Sequence, residues 1–292
     1  MIRKIFLVIV CACICLALPA SGLKARSAQD TLRVDVNLVN VFLTVQKPTG
    51  EYVTGLPADA FRVYEDDVAQ KISIFEKEDR VESTIGILMD TSGSDVDILP
   101  IMKTGVLDFA QKTRRTDEYF VMTFGISAQL IHDIHQPIQN LESMLKSLQA
   151  RGNCVLFDAM IAAMKKVSAS PHARKALIVF TDGQDNGSKA GFKDTSTAAQ
   201  RASVLLYFIP IGPKIHVDQP ALESLAKLSG GSVIYLQKTD PIRPAMETIR
   251  KDLANQYYLG YYAPLRPGAH RIRVELPGYD YQIHAKTGYM GN

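Results

Sequence analysis

Hydrophobic and polar positions change rhythm along the chain. Residues 31–46 begin in alternation, with Leu32, Val34, Val36 and Leu38 on one face and Arg33, Asp35 and Asn37 on the other. Strand side chains alternate with period two, so this is a strand with one apolar face. Beyond Leu38 the apolar parity passes to Val39, Val41, Leu43 and Val45, which predicts a β-bulge or a break between Leu38 and Val39. Lys47-Pro48-Thr49-Gly50 reads as a turn, because proline presets its backbone angle and glycine tolerates positive φ. Short strands are expected at 61–64 and 71–75, joined by the acidic turn Glu65-Asp66-Asp67.

From Ser83 the rhythm is different. Residues 84–89 are a solid apolar run, as in a strand buried on both faces. Residues 98–113 follow as a helix, with Asp97 as its N-cap and Pro100 in its first turn. Strands are expected at 119–124, 129–134 (an edge strand), 175–180, 204–211 and 232–236. Helices are expected at 139–149, 155–168, 194–203, 219–229 and 241–255. Alternating strands and helices imply parallel crossovers, hence a doubly wound, mostly parallel α/β sheet. After Gln256 strands return at 257–262, 271–276 and 281–286, separated by Pro264-Leu265-Arg266-Pro267-Gly268 and Pro277-Gly278. Neither β-rich end suffices as a domain. The two are expected to pair into one small β-sandwich, 23–82 with 257–292, into which the α/β domain 83–256 is inserted.

The start of the chain reads as an address. Arg3 and Lys4 precede fourteen apolar residues, 5–18, then Pro19 and the small residues Ala20-Ser21-Gly22. This is a signal peptide over 1–22, and the apolar run is too short for a comfortable permanent membrane span. A retained anchor is the alternative. The expected destination is outside the cytoplasm, periplasmic or extracellular. Cys11, Cys13 and Cys15 all lie in this run, so Cys154 alone remains in the mature chain and no intramolecular disulfide forms there.

Composition excludes several classes of function. Of 292 residues 47% are hydrophobic and 22% charged, enough for a large core and unlike a disordered chain. The formal charge is +3, and cleavage after Gly22 lowers it to +1, too near zero for nucleic acid or an anionic membrane as main partner. No Gly-x-x-x-x-Gly-Lys or Gly-x-Gly-x-x-Gly cradle occurs, and Ser92 does not lie in Gly-x-Ser-x-Gly. His132 and His135 point to opposite faces of a strand.

Ligands of a doubly wound sheet bind beyond the carboxyl ends of its strands. There the first α/β strand runs into Asp90-Thr91-Ser92-Gly93-Ser94, and a later one into Thr181-Asp182-Gly183. The loop before the helix at 155–168 adds Gly152-Asn153-Cys154. Carboxylates and hydroxyls gathered on one edge are the oxygen donors that Mg²⁺, Mn²⁺ or Ca²⁺ prefer. Read alone, Asp-x-Ser-x-Ser is an N-cap cluster for the helix that follows; Asp182 at a second strand end is what argues for a metal. Asp95 and Asp97 either add acidity there or cap the helix, and Asp185 and Asn186 shape the loop. Tyr257, Tyr258, Tyr261 and Tyr262 read as packing between the two parts rather than as a sugar platform.

Asp90-x-Ser92-x-Ser94 with Thr181-Asp182-Gly183 resembles the metal-ion-dependent adhesion site of von Willebrand factor A-type domains, over about residues 83–256. Val53-Thr54-Gly55-Leu56, Phe61-Arg62-Val63-Tyr64-Glu65-Asp66, Tyr258-Leu259-Gly260-Tyr261-Tyr262 and Lys286-Thr287-Gly288-Tyr289 resemble the framing motifs of an exported bacterial subfamily, the von Willebrand A-related Acidobacterial type. The resemblance implies metal ligation by Asp90, Ser92, Ser94 and Asp182, with a partner protein's carboxylate completing the shell. It implies ligand-facing loops at Gly93, Asp95, Asn153 and Gly183. Cys154 stands where the family has threonine, before Leu156-Phe157-Asp158-Ala159, and a thiol is a poor substitute for a hydroxyl on Mg²⁺. Three functions follow. The first is a non-catalytic binding module for a protein with an exposed carboxylate. The second is a structural envelope protein with a degenerate, metal-free site. The third is a metal-dependent hydrolase, which lacks a second carboxylate at Ser92 and a nominated general base.

Overall fold

The computed structural model describes residues 36–77, 81–93, 96–212 and 218–291. The signal-peptide reading of 1–22 falls outside them, as do Ser94 and Asp95. The N-terminal β segment forms β1 (Val36–Gln46), β2 (Arg62–Glu65), β3 (Val68–Gln70) and β4 (Ile74–Lys77). The middle of the chain forms β5 (Ser83–Asp90), α1 (Leu99–Lys112), β6 (Glu118–Phe124), β7 (Gln129–His132), α2 (Ile138–Ser147), α3 (Leu156–Ser168) and β8 (Arg174–Thr181). It continues through α4 (Phe192–Ala202), β9 (Leu205–Pro210), α5 (Gln219–Ser229) and α6 (Ile242–Ala254). The C-terminal segment forms β10 (Tyr257–Pro264), β11 (Gly268–Glu275), β12 (Gln282–Ala285) and β13 (Gly288–Gly291).

The central sheet has the order β7-β6-β5-β8-β9, parallel except for the edge strand β7. Every residue of β5 is buried, because helices cover both faces. Ile85, Ile87 and Met89 pack with Met102, Val106 and Phe109 of α1, Leu141 of α2 and Met246 of α6. Leu88 packs on the other face with Met160 and Met164 of α3 and Leu222 and Leu225 of α5. Alternate residues of one apolar run thus feed two cores. The segment 232–236 lies beside β9 through bonds from Ile234 N to Phe208 O and from Leu236 N to Pro210 O, both 2.9 Å. It makes only two isolated parallel bridges rather than the full strand expected.

The two chain ends interleave in a sandwich of four-stranded sheets, β12-β1-β10-β4 and β13-β11-β2-β3, around Val41, Leu43, Phe61, Tyr257 and Leu259. The doubly wound sheet and the sandwich from both chain ends are therefore as expected. Several details differ. The β1–β10 ladder runs from Val36↔Pro264 to Leu43↔Tyr257 without a slip, so there is no bulge between Leu38 and Val39. The parity change has another cause: β1 is covered on both faces. Val39, Val41, Leu43 and Val45 face the sandwich interior, while Phe42 joins the α/β core and stacks on Tyr258 at 4.8 Å. The expected strand at 71–75 forms only from Ile74 onward, and a separate short strand precedes it. Val68–Gln70 pairs with β2 across a turn whose Asp66 and Asp67 both have positive φ, and Ile74–Lys77 crosses to β10 in the other sheet. Asp97 does not cap α1; its carboxylate takes Lys238 Nζ at 3.0 Å. The tyrosines of β10 divide by parity: Tyr257 and Tyr261 are buried in the sandwich and Tyr262 is exposed.

Buried polar side chains tie the inserted domain to its frame. Asp252 of α6 accepts from Tyr207 OH of β9 at 2.5 Å, and from Thr44 Oγ1 and Tyr52 OH, both at 3.3 Å. Burial pushes its pKa up in spite of these donors. Arg174, 2% exposed, donates to Ser83 Oγ at 2.5 Å and to the carbonyls of Leu253 and Val81, both at 2.7 Å. Arg174→Met leaves those carbonyls buried without that donor. It is expected to cost about 2–4 kcal/mol, read as a lower urea midpoint at unchanged m.

A second polar cluster closes the sandwich. Glu65, fully buried, accepts from Tyr261 OH at 2.8 Å and Tyr289 OH at 3.1 Å, and pairs with Arg266 at 2.6 Å. His270 Nδ1 lies 2.8 Å from Asp66 Oδ2. That bond chiefly holds Asp66 below the ordinary carboxylate range and His270 above the ordinary imidazole range. A raised imidazole stabilises the fold below its unfolded pKa and loses that contribution as pH rises through its folded value. A lowered carboxylate stabilises above its unfolded pKa and loses it as pH falls through its folded value. The pair contributes most between about pH 4 and pH 6.5. The stability gap between wild type and His270→Phe, from urea unfolding, is expected to shrink as pH rises from about 6 to about 9. A gap that does not change over that range would contradict this account.

Candidate metal centre

Three loops at the carboxyl edge of the central sheet are locked together by backbone bonds. After β5, Thr91 N donates to Phe124 O of β6 at 2.6 Å, and Gly93 N to Gly152 O at 2.9 Å. From the loop between α2 and α3, Arg151 N donates to Thr91 O at 2.7 Å and Val155 N to Gly125 O at 3.2 Å. After β8, Asn186 N and Gly187 N donate to Cys154 O at 3.1 and 2.9 Å. Asp185 Oδ2 accepts from Phe157 N at 2.9 Å and so satisfies the start of α3, while its Oδ1 holds Gly187 N and Ser188 N. Asn186 Oδ1 accepts from Cys154 N at 2.9 Å. Both residues shape the loop, as the sequence suggested.

Asp90, the last residue of β5, is fully buried. Its Oδ1 accepts from Ser92 N at 2.9 Å. Its Oδ2 lies 3.2 Å from both Thr181 Oγ1 and Cys154 Sγ. Ser92 is 2% exposed beside it. Asp182 is half-buried at the end of β8, its Oδ1 accepting from Gln184 N at 3.0 Å. Gly183 N donates to Thr181 Oγ1 at 2.9 Å, with φ +82° that an L side chain rarely adopts. Gly93 and Asn153 are exposed on the neighbouring loops. Ser94 and Asp95 lie outside the described residues. Thr181 is a bonding partner of Asp90 that the sequence marks only by its place directly before Asp182.

The donor set fits a hard divalent cation at every described position but one. Asp90, Ser92 and Asp182 supply oxygen. Cys154 supplies a thiol that is 2% exposed and points to Asp90 Oδ2 and, at 2.9 Å, to Gln184 O. Burial, and then the charge of Asp90, push its pKa up, so it stays a protonated donor. A hydroxyl donates one bond and keeps lone pairs for a cation; a protonated thiol is a weak, soft acceptor. Among the described residues, Asp90, Cys154 and Asp182 do not bring three ligand atoms within 4.8 Å of one another, whereas Glu65, Asp66 and His270 do. In that second cluster Arg266 pairs with both carboxylates, and both nitrogens of His270 are engaged, Nε2 with Arg266 O at 3.0 Å.

The sequence model of the von Willebrand factor type A domain matches residues 84–246. The chain belongs to that family. Among solved structures, a von Willebrand factor type A protein from Catenulispora acidiphila is similar at TM-score 0.52 and 12% identity, over 88% of this chain and 72% of that one. BatB from Bacteroides thetaiotaomicron is similar at TM-score 0.51 and 16% identity, over 59% of this chain and 97% of its own. Proximal thread matrix protein 1 of the mussel byssus, described with a zinc-occupied MIDAS motif, is similar at TM-score 0.53 and 17% identity, over 65% of this chain and 50% of its own. These identities show the fold alone. No curated protein sequence matches the chain. The von Willebrand A domain places Asp90 and Asp182 at the ends of the adjacent strands β5 and β8.

Burial of Cys154 has a direct consequence. In the native protein at neutral pH it is expected to react with a maleimide or a disulfide reagent at least about a hundred times more slowly than in urea. Rapid labelling of the folded protein, followed by mass spectrometry, would contradict the buried, protonated thiol.

Proposed function

We propose that this von Willebrand A protein is an exported, non-catalytic binding module of the Acidobacterial-type subfamily, with a signal peptide at 1–22. Residues 83–256 form the binding domain, and 23–82 with 257–292 form its frame. Asp90, Ser92, Ser94 and Asp182 hold a divalent cation, Mg²⁺ or else Mn²⁺ or Ca²⁺, and a carboxylate of a partner protein docks there. The observation that carries this reading is Asp90, fully buried at the end of the central strand beside Ser92, with Asp182 directly after the neighbouring strand β8. A carboxylate without any exposure is costly unless it is paired, bonded or on a metal. When bound, the cation supplies an open coordination position for a carboxylate oxygen. The chain's own residues do the rest. Ser92 N and Thr181 Oγ1 fix the orientation of Asp90.

One observation favours a second reading, a structural protein whose site has lost its metal: the Cys154 thiol donates to Asp90 in place of the family's threonine. Calorimetric titration of Mg²⁺, Mn²⁺ and Ca²⁺ separates the two. The docking reading expects binding by the wild type, loss in Asp90→Ala, and binding about tenfold tighter in Cys154→Thr. Binding by Cys154→Thr but not by the wild type supports the metal-free reading, and binding by neither overturns metal docking.

A further inference from the structure

Beside this edge, β7, the end of α2 and the loop at 148–151 enclose a cleft of about 200 Å³. Thr91, Gly125, Ile126, Gln129, Met144 and Arg151 line it, and Arg151 is the only charged residue that does so. Thr91 is next to Asp90 and Ser92 in sequence, so the cleft opens from the same loop as the candidate metal centre. Arg151 is fixed there by its backbone bond to Thr91 O, yet its guanidinium is exposed. Among the described residues that guanidinium has neither an ion pair nor a hydrogen-bond partner.

The apolar side of the cleft is equally open. Ile126 is 73% exposed and Met144 is 42% exposed, both large side chains that folding did not bury. Ile126 lies over Gly152, whose φ of +87° is strained for an L side chain; a Cβ there would stand 2.4 Å from Ile126 Cγ1 and push that side chain aside.

We infer that this cleft is a second anchoring point for the partner, taking an acidic side chain on Arg151 and a neighbouring aliphatic side chain against Ile126 and Met144. The inference deepens the docking reading of this edge but does not depend on the cation. A guanidinium with no carboxylate of its own offers a planar fork to one, and exposed apolar side chains beside it favour an aliphatic neighbour. A volume of about 200 Å³ accommodates one or two side chains, so the occupant is an extended segment of another protein. A single arginine does not make the basic stripe that a nucleic acid requires.

The test uses the full-length protein in excess chelator, which silences the metal. Random twelve-residue peptides displayed on phage are selected against it, and an enriched peptide is synthesised. The expected consensus is Asp or Glu adjoining Leu, Ile, Val or Met. The synthetic peptide is expected to lose at least tenfold in affinity against Arg151→Glu and against Ile126→Asp. The same charge reversal on α4, Arg201→Glu, is expected to leave affinity unchanged. Replacing the peptide's acid by Lys is expected to restore binding to Arg151→Glu. All three substituted residues are exposed, and circular dichroism checks their folding. No enrichment, a consensus without an acid, or equal losses in Arg151→Glu and Arg201→Glu would overturn the inference. Because the assay contains no free metal, such a failure is distinct from a failure of the calorimetric titration.

Discussion

The fold depends on one long-range ladder. Strand Val36–Gln46 pairs along Tyr257–Pro264, so residues more than two hundred positions apart lie side by side and close the chain around the inserted domain. Bringing such distant segments together costs loop entropy that grows only slowly with length, and eight paired residues with two buried faces offset it. The ladder also faces two ways. Val41 and Leu43 look into the sandwich, while Phe42 and Thr44 look toward the α/β domain, where they meet Tyr258 and Asp252. One strand therefore organises its own sheet and the junction. Arg174 and Asp252 extend that junction to the end of α6, through Leu253 O on one side and Tyr207 on the other. This junction anchors the base of the sheet, at the end opposite the carboxyl-edge loops.

At that edge the decisive constraint is a carboxylate with no access to water. Asp90 is kept in place by a backbone amide, a hydroxyl and a thiol. The amide and hydroxyl are ordinary partners. The thiol is not, because it answers the carboxylate with a proton and offers little to a hard cation in return. On the proposed reading, Cys154 thus favours the metal-free state of Asp90 and would weaken a metal-bound one. A single side chain sets the balance between the two proposed roles of the edge, and the hydroxyl of threonine would tilt it the other way.

The parts of the fold legible in the sequence were those where one residue pattern has one physical cause. The run at 84–89 had to be a strand buried on both sides, and the helical spacing at 219–229 is α5 as expected. The parity change at Val39 was visible, but its cause was not. A bulge and a strand covered on both faces produce the same pattern, and only the partner strands decide between them. Asp97 was a sound N-cap by type, yet it pairs with Lys238, 141 residues away in sequence. The strand ends that carry Asp90 and Asp182 were legible because topology alone puts them on one edge. The bonds from Thr181 and Cys154 to Asp90 were not, since they depend on how three separate loops meet.

The buried carboxylates are each answered by neighbouring groups. In the sandwich, Glu65 is answered by Arg266 and two tyrosine hydroxyls, and Asp66 by His270, so its charges are spent on one another. On α1 and α6, Asp108 is shared by Lys112 and Arg250. At the carboxyl edge the bookkeeping is left open. Arg151 faces solvent beside exposed Ile126 and Met144, a few residues in space from a buried aspartate held for another purpose. In the docking reading, these exposed groups sit in loops pinned by backbone bonds rather than by their own side chains, so a partner would meet a rigid scaffold.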